Sequence, residues 1–187
     1  MMEIMRSHPR LLTGLAVAAA CALTLATMGW AAGLLVVAMV VSYALWMGRA
    51  EWPPARRVLP AYAAAVVVQC AHLAEEYATG FHRAFPPVLG SEPWSGGRFL
   101  AFNLTWLAMF AIGGHGLARE KRPAYLVALF LALGGGIGNG LGHLALAARA
   151  GGYFPGAYTG ALALVAGGTL LGRLLRRSPP GSSTGVQ

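Results

Sequence analysis

Long apolar runs alternate along the chain with short breaks rich in glycine, proline and basic residues. A helix that spans a bilayer needs about 20 predominantly apolar residues, and six such helices are predicted. The run from Leu11 to Met47 is too long for one pass; Gly29 and Gly33 around Trp30 divide it into helices over 11–28 and 31–48, packed as a tight hairpin. Trp52-Pro53-Pro54 with Arg56 and Arg57 marks a wet loop, followed by a third span over 59–79. Residues 80–97 hold Pro86, Pro87 and Pro93 and read as a loop. The remaining spans fall over 98–117, 124–148 and 155–175. The expectation is an all-α, single-domain integral membrane bundle over residues 1–177, with a Pro/Gly/Ser-rich, disordered tail over 178–187.

Charge fixes the predicted orientation. With the N-terminus inside, the cytoplasmic segments hold Arg6, Arg10, Arg49, Arg56, Arg57, Arg119, Lys121, Arg122, Arg173, Arg176 and Arg177, and the opposite side only Arg83, Arg98 and Arg149. This asymmetry supports six spans with both termini in the cytoplasm; the expected location is the plasma (cytoplasmic) membrane. A cleaved signal peptide over 1–33 is the rival reading and leaves the remaining orientation unchanged. Composition agrees: 57% of residues are hydrophobic and 11% charged, against about 45–50% and about 25% in soluble domains, and mean hydropathy is +0.59. The net charge of +8 is dispersed between apolar runs, so no nucleic-acid partner is expected. Cys21 and Cys70 lie inside apolar runs without metal-ligand spacing and read as packing residues.

All six acidic residues are Glu, which excludes a Ser-His-Asp triad and an aspartyl pair. Ionisable groups within a span are costly and usually face the bundle interior. Gln69, His72, Glu75 and Glu76 stand in the third span, Asn103 and His115 in the fourth, Asn139 and His143 in the fifth. His72, Glu75 and Glu76 are spaced i, i+3, i+4 and share a helix face; Asn139 and His143 are spaced i, i+4 on a helix whose glycines permit close approach by a neighbour. At 1.5 Å rise per residue, His72 lies about 20 Å, Asn103 about 21 Å, Asn139 about 23 Å, Glu75 about 24 Å and His143 about 29 Å from the cytoplasmic ends of their helices. All five fall in the outer half of the bilayer, whereas His115 lies near the cytoplasmic end.

A His/Glu pair on one helix and a His on a facing helix is a metal-ligand arrangement of helical bundles. His72, Glu75 or Glu76, and His143 supply three N/O ligands for a divalent metal, zinc first, with iron or manganese also accepted by these donors. The Glu that does not ligate would be the general base, and Asn103 and Asn139 would donate to a developing oxyanion or orient the ligands. The plainer reading is a set of mutually paired groups that only fixes helix packing. Two adjacent carboxylates in lipid, which should not both ionise without a cation, favour a functional site. His82 and Arg83 could bind an anion or simply sit in a solvated loop, and Tyr153, Tyr158 and Trp94 fit an interfacial aromatic belt.

His72-Leu73-Ala74-Glu75-Glu76, followed by Asn103 and by Asn139-Gly140-Leu141-Gly142-His143 in successive spans, resembles the HXXEE-motif family of small integral membrane proteins. The resemblance covers about residues 60–175 and implies that His72, Glu75, Glu76, Asn139 and His143 are the functional residues; the family's function is unknown. A looser similarity to the CAAX-protease-like superfamily breaks down at a missing Arg after Glu75-Glu76 and at the reversed order of Asn139 and His143. The reading that results is a membrane enzyme hydrolysing a lipid-like or amphipathic substrate that enters laterally. The alternatives are a metal-free isomerase or cyclase for an isoprenoid- or polyketide-like substrate, and a proton- or cation-coupled carrier.

Overall fold

A computed structural model describes residues 9–176, so the expectation for the 178–187 tail lies outside the described residues. The described residues are helical, with no strand. In chain order the helices are α1 (Pro9–Met28), a 3-10 turn (Gly29–Ala32), α2 (Gly33–Met47), α3 (Ala55–Thr79), α4 (Phe81–Val88), α5 (Gly96–Ala118), α6 (Arg122–Phe130), a π-helical segment (Leu131–Gly138), α7 (Asn139–Ala150) and α8 (Ala157–Leu175). Five stretches are long and apolar enough to cross a membrane, α1 and α2 counting together as one stretch of 38 residues. That stretch folds back on itself: Gly29 takes φ +63°, and the Tyr43 hydroxyl donates to the Arg10 carbonyl at 3.1 Å. A straight helix would hold those two residues about 50 Å apart.

The segment 80–97 differs from expectation. Gly80, at φ +80°, caps α3 and the chain re-enters a helix at once, forming α4 rather than an open loop. Proline is tolerated there because the carbonyl it leaves without a donor finds another: Pro86 has no N–H for the His82 carbonyl, and Trp94 N–H supplies one at 2.9 Å. Phe81 and His82 are consequently buried and Arg83 exposed, so only Arg83 fits the solvated reading.

The other unpredicted feature is the π segment. It widens the helix around Gly134, Gly135 and Gly136, where side chains that would crowd the wider turn are missing, and it rotates everything that follows, including Asn139 and His143. α8 packs directly on this segment and on α7, and α3 packs on α8 and α5. The close approach expected from the glycines is made by α8: a Cβ on Gly136 would meet Gly167 Cα at 2.5 Å, and one on Gly140 would meet the Gly160 carbonyl at 2.5 Å.

Apolar packing forms two clusters. One, around Trp46, Val58, Leu117, Leu129 and Leu170, fills the end where Arg122 donates to the Arg49 carbonyl and Arg49 to the Leu175 and Arg176 carbonyls. The other, around Met28, Leu73, Phe81, Trp94, Phe99 and Phe154, closes the opposite end. In lipid such packing gains from close contact rather than from removal of water.

Candidate functional site

The polar residues meet beside the second cluster. His72 and Glu76 are one turn apart on α3, and His143 reaches them from α7; they are 0%, 4% and 2% exposed. Glu76 Oε1 lies 3.1 Å from His143 Nε2 and 3.6 Å from His72 Nε2, and one ligand atom from each residue falls within 4.8 Å of the other two. The imidazole rings meet edge to face at 4.6 Å.

Hydrogen bonds on the far side of each ring determine what the near side offers. His143 Nδ1–H donates to the Pro155 carbonyl at 2.7 Å; a carbonyl only accepts, so this nitrogen carries the proton. His72 Nδ1 lies 2.8 Å from Thr159 Oγ1. The Thr159 hydroxyl donates to Glu75 Oε2, which leaves Thr159 Oγ1 as acceptor and His72 Nδ1 as donor. In neutral rings both Nε2 atoms then present lone pairs toward Glu76. His72 Nε2 is buried without a hydrogen-bond partner. Three acceptors thus converge, and no described donor hydrogen-bonds His72 Nε2. One proton on Glu76 Oε1 could satisfy one imidazole only, whereas a divalent cation would satisfy all three groups. The buried His72–Glu76–His143 group can hold a metal ion, and rings fixed by Nδ1–H donors are the usual form of metal-bound histidine.

Glu75 is not part of this group. One step earlier around α3, it points to the start of α8. There its Oε2 accepts Thr159 N–H at 2.8 Å and the Thr159 hydroxyl, while Oε1 accepts the Tyr153 hydroxyl at 2.8 Å and Tyr158 N–H at 3.3 Å. A group that accepts four hydrogen bonds is a carboxylate, here at a helix N-terminus whose free N–H groups favour an anion. The structure thus separates two neighbouring glutamates that sequence spacing grouped as alternative ligands. Tyr153 is a partner of Glu75 as well as a belt residue; burial first, and the adjacent carboxylate, raise the ionisation of its phenol above the usual tyrosine range.

A cavity of about 510 Å³ opens onto the group, and Glu76 and His143 form part of its wall together with Gln69, Asn103 and Asn139. Asn139 also approaches the His72 ring, and Asn103 Nδ2 donates to the Phe99 carbonyl at 3.0 Å. Neither Glu75 nor His115 borders the cavity; His115 is exposed and contacts Arg119. Trp94, expected in the belt, is buried against Phe85, and Cys70 is exposed on its helix instead of packed. Two participants had no sequence-level reading, Thr159 and the Pro155 carbonyl. Thr159 is a hydroxyl in the first turn of an apolar helix, which gave a signal; a backbone carbonyl gives none. The chain matches no family model, no curated protein and no solved structure.

Proposed function

We propose that this protein is a six-pass membrane enzyme with both termini in the cytoplasm, using a divalent metal, zinc first, held by His72, Glu76 and His143 to hydrolyse a lipid-like or amphipathic substrate. The resemblance to the HXXEE-motif family supports the importance of these residues without naming a reaction. The observation that carries the proposal is the convergence of two imidazoles and a carboxylate, with His72 Nε2 left without a hydrogen-bond partner, beside a largely apolar cavity. When bound, the metal supplies Lewis acidity toward a carbonyl or phosphoryl oxygen and toward water.

The protein's own groups do the rest. Glu75 with Thr159, and Pro155 through its carbonyl, hold the imidazoles with their Nδ1 protons outward. Glu75 is committed to four donors and stands off the cavity, so the base role passes to Glu76. No described residue hydrogen-bonds Glu76 Oε2, and Glu76 borders the cavity. Oε2 takes the proton of the attacking water and returns it to the leaving oxygen as the bond to the acyl or phosphoryl centre breaks. Asn103 and Asn139 donate amide N–H groups to the substrate oxygen as charge develops on it. The apolar wall keeps bulk water out and accepts the substrate chain.

The test is turnover of a panel of long-chain carboxylic and phosphoric esters by the protein in nanodiscs, with and without a chelator. We expect chelation to stop turnover reversibly and Glu76→Gln, which removes a metal ligand and the general base together, to lower kcat by at least about a hundredfold. Hydrolysis insensitive to both treatments would contradict the proposal. The 3.1 Å contact between His143 and Glu76 favours one second reading, a proton shared by that pair for isomerisation or cyclisation. That reading predicts catalysis without metal.

A further inference from the structure

The cavity has a cation at one end. Arg149, exposed in the last turn of α7, is the one cation among the residues that border it, and no described residue forms a hydrogen bond or ion pair with its guanidinium. Aromatic side chains line the rest of the wall, Phe81 and Phe99 beside the metal-binding group and Trp106, Phe110 and Phe130 farther from Arg149; Trp106 and Phe130 lie 4.6 Å apart, ring to ring. His143 is six residues from Arg149 and thirteen from Phe130. At the α-helical rise of 1.5 Å per residue His143 therefore stands about 9 Å along the helix axis from Arg149, and Phe130 lies beyond the π segment on its other side.

Volume restricts the occupant further. A cavity of about 510 Å³ lies within the about 300–1,000 Å³ of sites that enclose one drug-sized ligand, which suits a head with one alkyl or prenyl chain. We propose that the cavity binds a single-chain amphiphile with an anionic oxyacid head. Arg149 pairs with the head at the rim, and the chain runs past His143 and Glu76 toward Phe110 and Phe130. The bond presented to the ligand group then lies along the chain, about 9 Å from the head, and is not the bond to the head itself. That last statement rests on the hydrolytic reading above; binding of the amphiphile does not.

The test uses the full chain in neutral-lipid nanodiscs and follows quenching of tryptophan fluorescence by terminally brominated dodecyl phosphate. A Trp106→Phe variant identifies the signal from the inner cavity. We expect saturable quenching that largely disappears in Trp106→Phe, and an affinity reduced at least about tenfold in Arg149→Gln, the usual cost of losing a hydrogen-bonded charge partner. Brominated dodecyl glucoside, with the same chain and a neutral head, should bind more weakly and with no dependence on Arg149. Brominated butyl phosphate should not quench Trp106. Gly142 borders the cavity, and a Cβ there meets only Leu34 Cδ1, at 3.8 Å, so Gly142→Phe should block the long-chain probe. If that variant does not fold, Arg149→Gln decides, because Arg149 is exposed.

Equal affinity of dodecyl phosphate for wild type and Arg149→Gln would overturn the proposal. So would equally tight, Arg149-dependent binding of a two-chain brominated phosphatidate. Metal content of the same samples separates the two readings. Arg149-dependent binding without metal rejects the metalloenzyme alone, and stoichiometric metal without such binding rejects the amphiphile alone.

Discussion

Glu75 and Glu76 differ by one step around a helix and have different surroundings. Glu76 faces the Nε2 atoms of two imidazoles, while Glu75 accepts from Thr159, Tyr153 and Tyr158 and is linked to His72 through the Thr159 hydroxyl. Thr159→Ala removes that link and frees the His72 ring to turn. We expect metal affinity to fall about 10–100-fold, the usual effect of losing such an orienting partner, and Thr159→Ser to restore it; competition with a metal-sensitive dye measures both. An unchanged affinity in Thr159→Ala would show that the ring is held by packing alone. The i, i+4 spacing of His72 and Glu76 made their pairing legible in the sequence, and helix-rise arithmetic put His143 in the same half of the bilayer. The division of labour between the glutamates was not legible. It depends on where the first turn of α8 docks, and spacing along α3 carries no information about that.

At the scale of elements, the site depends on glycines that bring α7 and the π segment against α8. Gly156, at φ +86°, has no room for a side chain: a Cβ there would strike the His143 ring. Gly156→Ala is therefore expected to displace His143 and lose bound metal. Gly140→Ala and Gly136→Ala each force the backbones apart and should destabilise by about 1–3 kcal/mol. Gly168 and Gly172 lie on the same helix as Gly167 with open space around the Cβ position, so Gly168→Ala and Gly172→Ala should be neutral or stabilising by up to about 1 kcal/mol. Thermal unfolding in detergent ranks the four; equal effects would contradict the close contact. Glycine content alone announced tight packing on the predicted span over 124–148. It did not announce the π segment, whose register is fixed by α8 on one side and by Phe130 against Gly134 on the other. The short helix α4 was hidden by its prolines, because the donor that replaces the missing N–H comes from Trp94, eight residues after Pro86.

On the scale of the molecule, hydrogen bonds join 49, 122 and 175–176 at one end, and Arg98 meets the Thr27 carbonyl at the other. Those two ends are the ones that the distribution of basic residues distinguishes. Reporter fusions after residue 120 and after Gln187 should be active only on the cytoplasmic side, and one after Glu92 only on the other; a reporter after Glu92 that reads cytoplasmic would reverse the proposed orientation. The site lies toward the end with few cations, beneath Arg149, which suits a substrate that presents an anion there and its chain to the apolar interior. The most direct test of the account is X-ray absorption at the metal edge, with elemental analysis, on full-length protein and four variants. The account predicts one metal per chain with two imidazole ligands and a carboxylate. It should be lost in His72→Ala, His143→Ala and Glu76→Gln, and kept, at reduced affinity, in Glu75→Gln. A folded wild-type protein that takes up no metal, or one whose metal survives all three ligand substitutions, would contradict it.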